Sequence, residues 1–163
     1  MTDTGDLKRL PLEELHIADG AGFGGFAGWS MPLTYRPGVM KEHLHTRAAA
    51  GLFDISHMKL ILVEGPQAAA LLRSACPLDP EALETSQSKY SFFLTEDAGI
   101  VDDLIITRLG SDRFMVVANA GNAATDVAHL MVLAEGFDAK VTPLDRVFLA
   151  LQGPAAASIA AKA

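Results

Sequence analysis

Cysteine occurs once, at Cys76, so the chain can form no internal disulfide and can hold neither a CxxC redox pair nor a cysteine-rich zinc site. A reducing cytoplasm is the compartment that this usage favours. Positive charge is also scarce: 13 Lys and Arg against 20 Asp and Glu leave a formal charge of -7. That balance argues against a nucleic-acid binder, which needs a basic footprint to neutralise phosphates. No apolar run approaches the length of a bilayer span, and Met1 to Asp6 lacks the apolar stretch behind positive charge of a secretory leader. What is present is 163 residues, half of them hydrophobic and a fifth charged, enough for one full core or two small domains.

Proline near its first turn and acids beside it start a short helix at Leu10 to His16. Gly20 to Trp29 is too glycine-rich for a helix interior and reads as a bent strand or loop. A second helix follows from about Gly38 to Ala50, with Gly51 as its C-terminal cap. From Lys59 the pattern becomes strand (Leu60 to Val63), helix (from Gly65-Pro66), loop (Pro77 to Ser88), strands (Tyr90 to Leu94, Ile100 to Thr107, Arg113 to Ala118), helix (Asn119 to Glu135) and strand (Phe137 to Thr142). Such an order predicts an α+β unit with helices on one face of a mainly antiparallel sheet. Arg146 to Gln152 then begins a strand without evident partners, and Gly153-Pro154 opens a helix that the chain leaves uncapped, so a second domain is expected to be incomplete.

Inside the apolar run Gly99 to Ile106 stand two adjacent carboxylates, Asp102 and Asp103. Burying ionised groups is costly unless they are paired or used. Successive strand side chains point to opposite faces, so one of the two should face inward or into a cleft and the other away. A functional role for one competes with a purely structural reading, in which both cap a turn or pair with a base such as Arg108.

Other motifs carry less. Gly22 to Ala27 matches a loose dinucleotide pattern but lacks the preceding strand and following helix that would set a phosphate on a helix N-terminus. His43 and His45, two apart on a helix, do not share a face for a metal, and His16 and His129 stand alone on their helices. Adjacent Ser56 and His57 diverge in an extended backbone, so a nucleophile–base pair is not expected. A turn in which Asp54 and Ser56 satisfy backbone groups is the simpler reading.

Four segments in register, Phe26 to Leu33, Ala49 to Met58, Gly99 to Ile106 and Val116 to Ala120, with Ala150 to Pro154 as a fifth, resemble the aminomethyltransferase family, the T-protein of the glycine cleavage system. The resemblance implies a folate-binding cloverleaf of domains: residues 1–57 as the first segment of the first domain, 58–142 as a ferredoxin-like α/β-sandwich domain inserted in it, and 143–163 as the return. It implies transfer of a methylene from the aminomethyl-lipoyl arm of a carrier protein to tetrahydrofolate, with release of ammonia. Asp102 matches the family's catalytic aspartate, a carboxylate that orients the pterin, assists proton movement and stabilises developing positive charge. Met58, Tyr90, Asp102 and Asn119 match folate-binding positions, Asp103 is the neighbour on the other face, and no metal is implied. Departures from the family pattern are the lack of a basic residue near Gly22, Lys59 where the family has glycine, and Pro77-Leu78-Asp79 where it favours Thr-Asn-Asp. The downstream acid and arginine that grip folate in the family have no counterpart before Ala163. Two other readings stay open: a folate-dependent demethylase of a small methylated substrate, and a non-catalytic folate-binding module.

Overall fold

The structure, a computed structural model, describes residues 7–163. The reading of Met1 to Asp6 lies outside the described residues. The chain divides into two compact units, one formed by residues up to His57 together with Val147–Ala163, the other by Met58–Arg146.

In the first unit the chain runs β1 (Lys8–Arg9), α1 (Glu13–Ala18), β2 (Gly22–Phe26), β3 (Trp29–Thr34), α2 (Val39–Ala48) and β4 (Gly51–Asp54). The glycine-rich stretch is a hairpin. Phe26 pairs with Trp29 across a two-residue turn, Ala27 and Gly28, both at positive φ (49° and 81°), the conformation whose twist suits a tight hairpin. The dinucleotide-like residues are thus strand β2, with no helix after them. Phe26 stands edge-on to His57 at 5.7 Å between centroids, and the Lys8 ammonium lies 5.6 Å from the centre of the Trp29 ring. Gly51 does not cap α2: Ala49 does, and Gly51 is the first residue of β4.

The second unit contains β5 (Lys59–Glu64), α3 (Ala68–Ala75), a 3-10 turn at Pro80–Ala82, β6 (Ser88–Leu94), β7 (Ile100–Gly110), β8 (Arg113–Ala118), α4 (Ala123–Ala134) and β9 (Lys140–Leu144). The five strands form one antiparallel sheet in the order β6-β7-β8-β5-β9. Alternation sorts its side chains. Ile61, Val63, Phe93, Leu104, Ile106, Phe114, Val116 and Ala118 make one core with Leu71 and Leu72 of α3 and Leu130 of α4. Burial of that face at roughly 25 cal/mol per Å2 of apolar surface is what holds both helices to the sheet. β9 extends past Thr142 through Pro143 because it is an edge strand, where a missing N–H leaves no ladder bond broken.

The chain then returns to the first unit as β10 (Leu149–Gln152) and α5 (Ala156–Ala160). β10 does have a partner: it pairs antiparallel with β4, Leu149 opposite Asp54 and Gln152 opposite Gly51. The pairing joins segments about a hundred residues apart in sequence, which local patterning could not reveal. Gly153 ends β10 at φ 112°, and a Cβ there would lie 2.5 Å from the Thr46 carbonyl oxygen and 2.6 Å from that of Ala49. Gly153→Ala is therefore expected to destabilise this unit by about 2 kcal/mol or more, from strain and backbone collision together; denaturant unfolding checks it, and an unchanged midpoint would contradict the tight approach.

Candidate functional site

Asp102 and Asp103 part company as the strand period requires. Asp102 pairs with Phe93 on the helix-covered face and is only 6% exposed, while Asp103 pairs with Phe92 on the other face and is half-buried. The carboxylate of Asp102, expected to orient a pterin, lies under the start of α4. There Oδ1 accepts from Asn122 Nδ2 at 2.9 Å and from Asn119 Nδ2 at 3.3 Å. Burial alone would raise its pKa, but the amides of Asn122 and Asn119 and the Asp103 backbone hold it below the ordinary carboxylate value.

The opposite face carries the accessible cluster. Tyr90, 59% exposed, donates its hydroxyl to Asp103 Oδ2 at 2.8 Å. Asn119 Nδ2 donates to Asp103 Oδ1 at 3.1 Å and to the Asp103 carbonyl at 2.8 Å. The hydrogen bond to Asp103 pushes the Tyr90 pKa up, because the carboxylate favours the protonated phenol. Phe92 meets Tyr90 edge-to-face at 5.2 Å, a favoured aromatic geometry. Met58, half-buried, immediately precedes β5. Ala118 pairs with both Lys59 and Leu104, so the register carried one residue further sets Met58, Asn119 and Asp103 in a single row across the sheet. Of the residues singled out from the sequence, Tyr90, Asn119 and Met58 thus share a row or face with Asp103, and Asp102 meets only Asn119 among them.

Asn119 also explains why α4 starts late. Its amide is committed to β7, and Asn119 to Asn122 form a turn closed by Asn122 N–H to the Asn119 carbonyl at 3.2 Å, so the helix begins at Ala123. Leu130 of α4 enters the core and Val127 and Leu133 pack against it, whereas Met131 is exposed and Asp126 is buried. No sequence signal separated Asp126 from a solvated helix acid.

The first unit holds a polar chain that the sequence reading missed by treating His16 as isolated. His16 joins the Tyr35 hydroxyl to Nδ1 at 2.7 Å and Asp54 Oδ2 to Nε2 at 2.9 Å, while Ser56 N–H donates to Asp54 Oδ1 at 2.9 Å. The Asp54–Ser56 turn is as expected. Ser56 faces Phe148, whose N–H donates to Ser56 Oγ at 2.9 Å, and His57 stacks on Phe26, so the two form no nucleophile–base pair. His43 and His45 are exposed on α2.

These observations define a mixed α/β protein with a split first unit and a five-stranded second unit that presents an acid, a phenol and an amide together. The chain belongs to the GCVT N-terminal domain family, whose profile matches residues 12–163. An aminomethyltransferase of Thermus thermophilus is 42% identical over 155 residues, covering 94% of this chain and 44% of that relative. The crystal structure of glycine cleavage system aminomethyltransferase T from Bartonella henselae matches with a TM-score of 0.92 and 63% identity, over 96% of this chain and 43% of that one. A heterotetrameric sarcosine oxidase from Corynebacterium sp. U-96 shares the fold alone, with a TM-score of 0.54 and 20% identity over 93% of this chain and 64% of that one. The chain spans less than half the length of the curated relatives it matches.

Burial alone would raise the Asp54 pKa, yet hydrogen bonds from His16 and Ser56 bring it below the ordinary carboxylate value. A lowered folded-state pKa stabilises above the unfolded value and is lost as pH falls through the folded one. Asp54→Asn is expected to cost about 1–3 kcal/mol near neutrality, with the gap to the parent chain narrowing below about pH 4. Unfolding measured across that range checks it; a pH-independent gap would mean that the charge of Asp54 contributes nothing.

Proposed function

We propose that this chain supplies the N-terminal-domain share of a tetrahydrofolate-dependent aminomethyl transfer in glycine cleavage, with the aminomethyl-lipoyl carrier protein as donor and ammonia as co-product. The observation that carries the reading is the cluster Asp103, Tyr90 and Asn119 on the uncovered part of the sheet, in a family whose relatives are named aminomethyltransferase. In this reading the second unit is the ferredoxin-like domain of a cloverleaf, with one strand more than the four of the βαββαβ pattern.

The residues present fit a reduced pterin. Asp103 offers a carboxylate to ring N–H groups, Asn119 offers a donor and an acceptor, and the rings of Tyr90 and Phe92 with the side chain of Met58 offer an apolar wall. Folate would supply the nitrogen that accepts the one-carbon unit. Asp103 orients that nitrogen, holds its proton and offsets positive charge that develops beside it. Tyr90 and Asn119 keep the carboxylate in place through both of its oxygens.

The role expected of Asp102 therefore passes, in this proposal, to its neighbour. Asp102 stays a residue of the site, but from behind: with its oxygens turned under α4, it anchors Asn119 and Asn122.

Equilibrium titration of the chain with tetrahydrofolate tests the reading. Asp103→Asn and Tyr90→Phe are expected to weaken binding by about tenfold and a few-fold, as loss of a charged and of a neutral hydrogen bond would, while Asp102→Asn lowers stability more than affinity. Absence of saturable binding, or a larger affinity loss for Asp102→Asn than for Asp103→Asn, would overturn it. In the presence of the loaded carrier and the remainder of the enzyme, folate-dependent ammonia release with a methylene product is expected; a methyl product would favour the demethylase.

A further inference from the structure

Asp126 is fully buried on α4, and neither of its carboxylate oxygens has a hydrogen-bond donor among the described residues; the same holds for Asp102 Oδ2. Asp126 lies one turn beyond Asn122 on α4, its N–H bonded to the Asn122 carbonyl at 3.0 Å, and Asn122 Nδ2 bonds Asp102 Oδ1 at 2.9 Å, so the two carboxyls are neighbours in one buried layer between α4 and β7. Neither forms a salt bridge among the described residues. Asp103 adds a third acid on β7, and the other ionisable neighbours give no relief. His129, one turn along α4, lies against Phe93 of β6 at 5.6 Å, and burial pulls its pKa down towards the neutral ring. Arg73 of α3 is engaged by Asp79 and Glu81, and Lys140 of β9 is exposed. Two buried negative charges in contact without a counterion do not persist; one takes up a proton.

We propose that Asp126 is that proton's holder, a neutral carboxylic acid that donates its O–H to Asp102 Oδ2 and so fastens the first turns of α4 to β7 directly behind Asp103. Asp102 is the charged member because Asn122 and Asn119 already donate to its Oδ1, whereas Asp126 has no other donor among the described residues. Burial, together with the neighbouring charges of Asp102 and Asp103, pushes Asp126 up to about 7. Asp126 is a positioning residue: it touches the accessible cluster only through Asp102 and the amide of Asn119, which bonds both aspartates. Loss of its proton to solvent puts two charges face to face and loosens α4 from β7. The consequence for ligand binding rests on the folate reading; the shared proton does not.

Carbon-13 spectra of the chain labelled at aspartate carboxyls test this directly. One carboxyl, assigned by its loss in Asp126→Asn, is expected to titrate near 7, and Asp102→Asn is expected to bring it down. A folded-state pKa raised above the unfolded 3.8 stabilises fully below that value and is lost as pH rises through about 7. The unfolding equilibrium constant of the parent chain should therefore rise, relative to that of Asp126→Asn, by up to about tenfold per pH unit in that window, because the amide keeps an N–H on Asp102 at every pH. If no carboxyl titrates above about pH 5.5, well outside the ordinary aspartate range, the proposal is wrong even if Asp126→Asn fails to fold. Tetrahydrofolate titrations on the same samples separate the two ideas: the near-neutral carboxyl without folate binding overturns the functional reading alone, and folate binding without it overturns the pair alone.

Discussion

Two carboxylates that follow one another along β7 cannot share a face, and the rest of the second unit is arranged around that constraint. The strand period sends Asp102 towards α4 and Asp103 away from it. Once Asp102 lies under the helix, its charge must be met by something other than water. Asn122 at the start of α4 and Asn119 in the turn before it do so. Because Asn119 also bonds Asp103, the device that settles the buried acid fixes the exposed one as well. Tyr90, on the neighbouring strand, holds the remaining oxygen of Asp103.

The first unit obeys a similar logic with different groups. Asp54 ends β4 with its side chain buried, and its two oxygens are taken up by His16 from α1 and by the Ser56 backbone. His16 passes the connection on to Tyr35 just after β3. Three elements that local sequence would place independently are thereby tied through one imidazole, and β10 joins β4 from the far end of the chain. In both units a buried polar group is tolerated because it links secondary structures that apolar packing alone would leave free to slide.

Much of the architecture was legible in local patterns. The β-branched run at Leu60 to Val63 and the turn residues between the strands from Tyr90 to Ala118 correspond to observed elements, and the helix expected over Asn119 to Glu135 is present from Ala123 to Ala134. The misreadings have identifiable causes. The hairpin at Ala27-Gly28 was hidden because the glycines of its first strand mask alternation, and its turn uses an alanine at positive φ. β10 seemed unpartnered because its partner is β4. Of the cluster at Asp103, the residue types and their neighbourhood were legible from family motifs, but which of two consecutive aspartates turns towards the helices was not. Parity within a strand is fixed only once the sheet's covered face is known.

By itself the sequence determined that Cys76 can form no disulfide within these residues, that a mixed α/β chain would form around an antiparallel sheet, and that two adjacent carboxylates would stand on one strand between Gly99 and Ile106. Composition, periodicity and local motifs suffice for those conclusions because they depend on residues close in sequence. Tertiary structure alone decided which aspartate is buried, which asparagines hold it, that Asp126 is buried on α4 without a salt bridge among the described residues, and that His16 bridges Tyr35 and Asp54. Each is a matter of which groups lose water together, and that is set by the packing of segments distant in the chain.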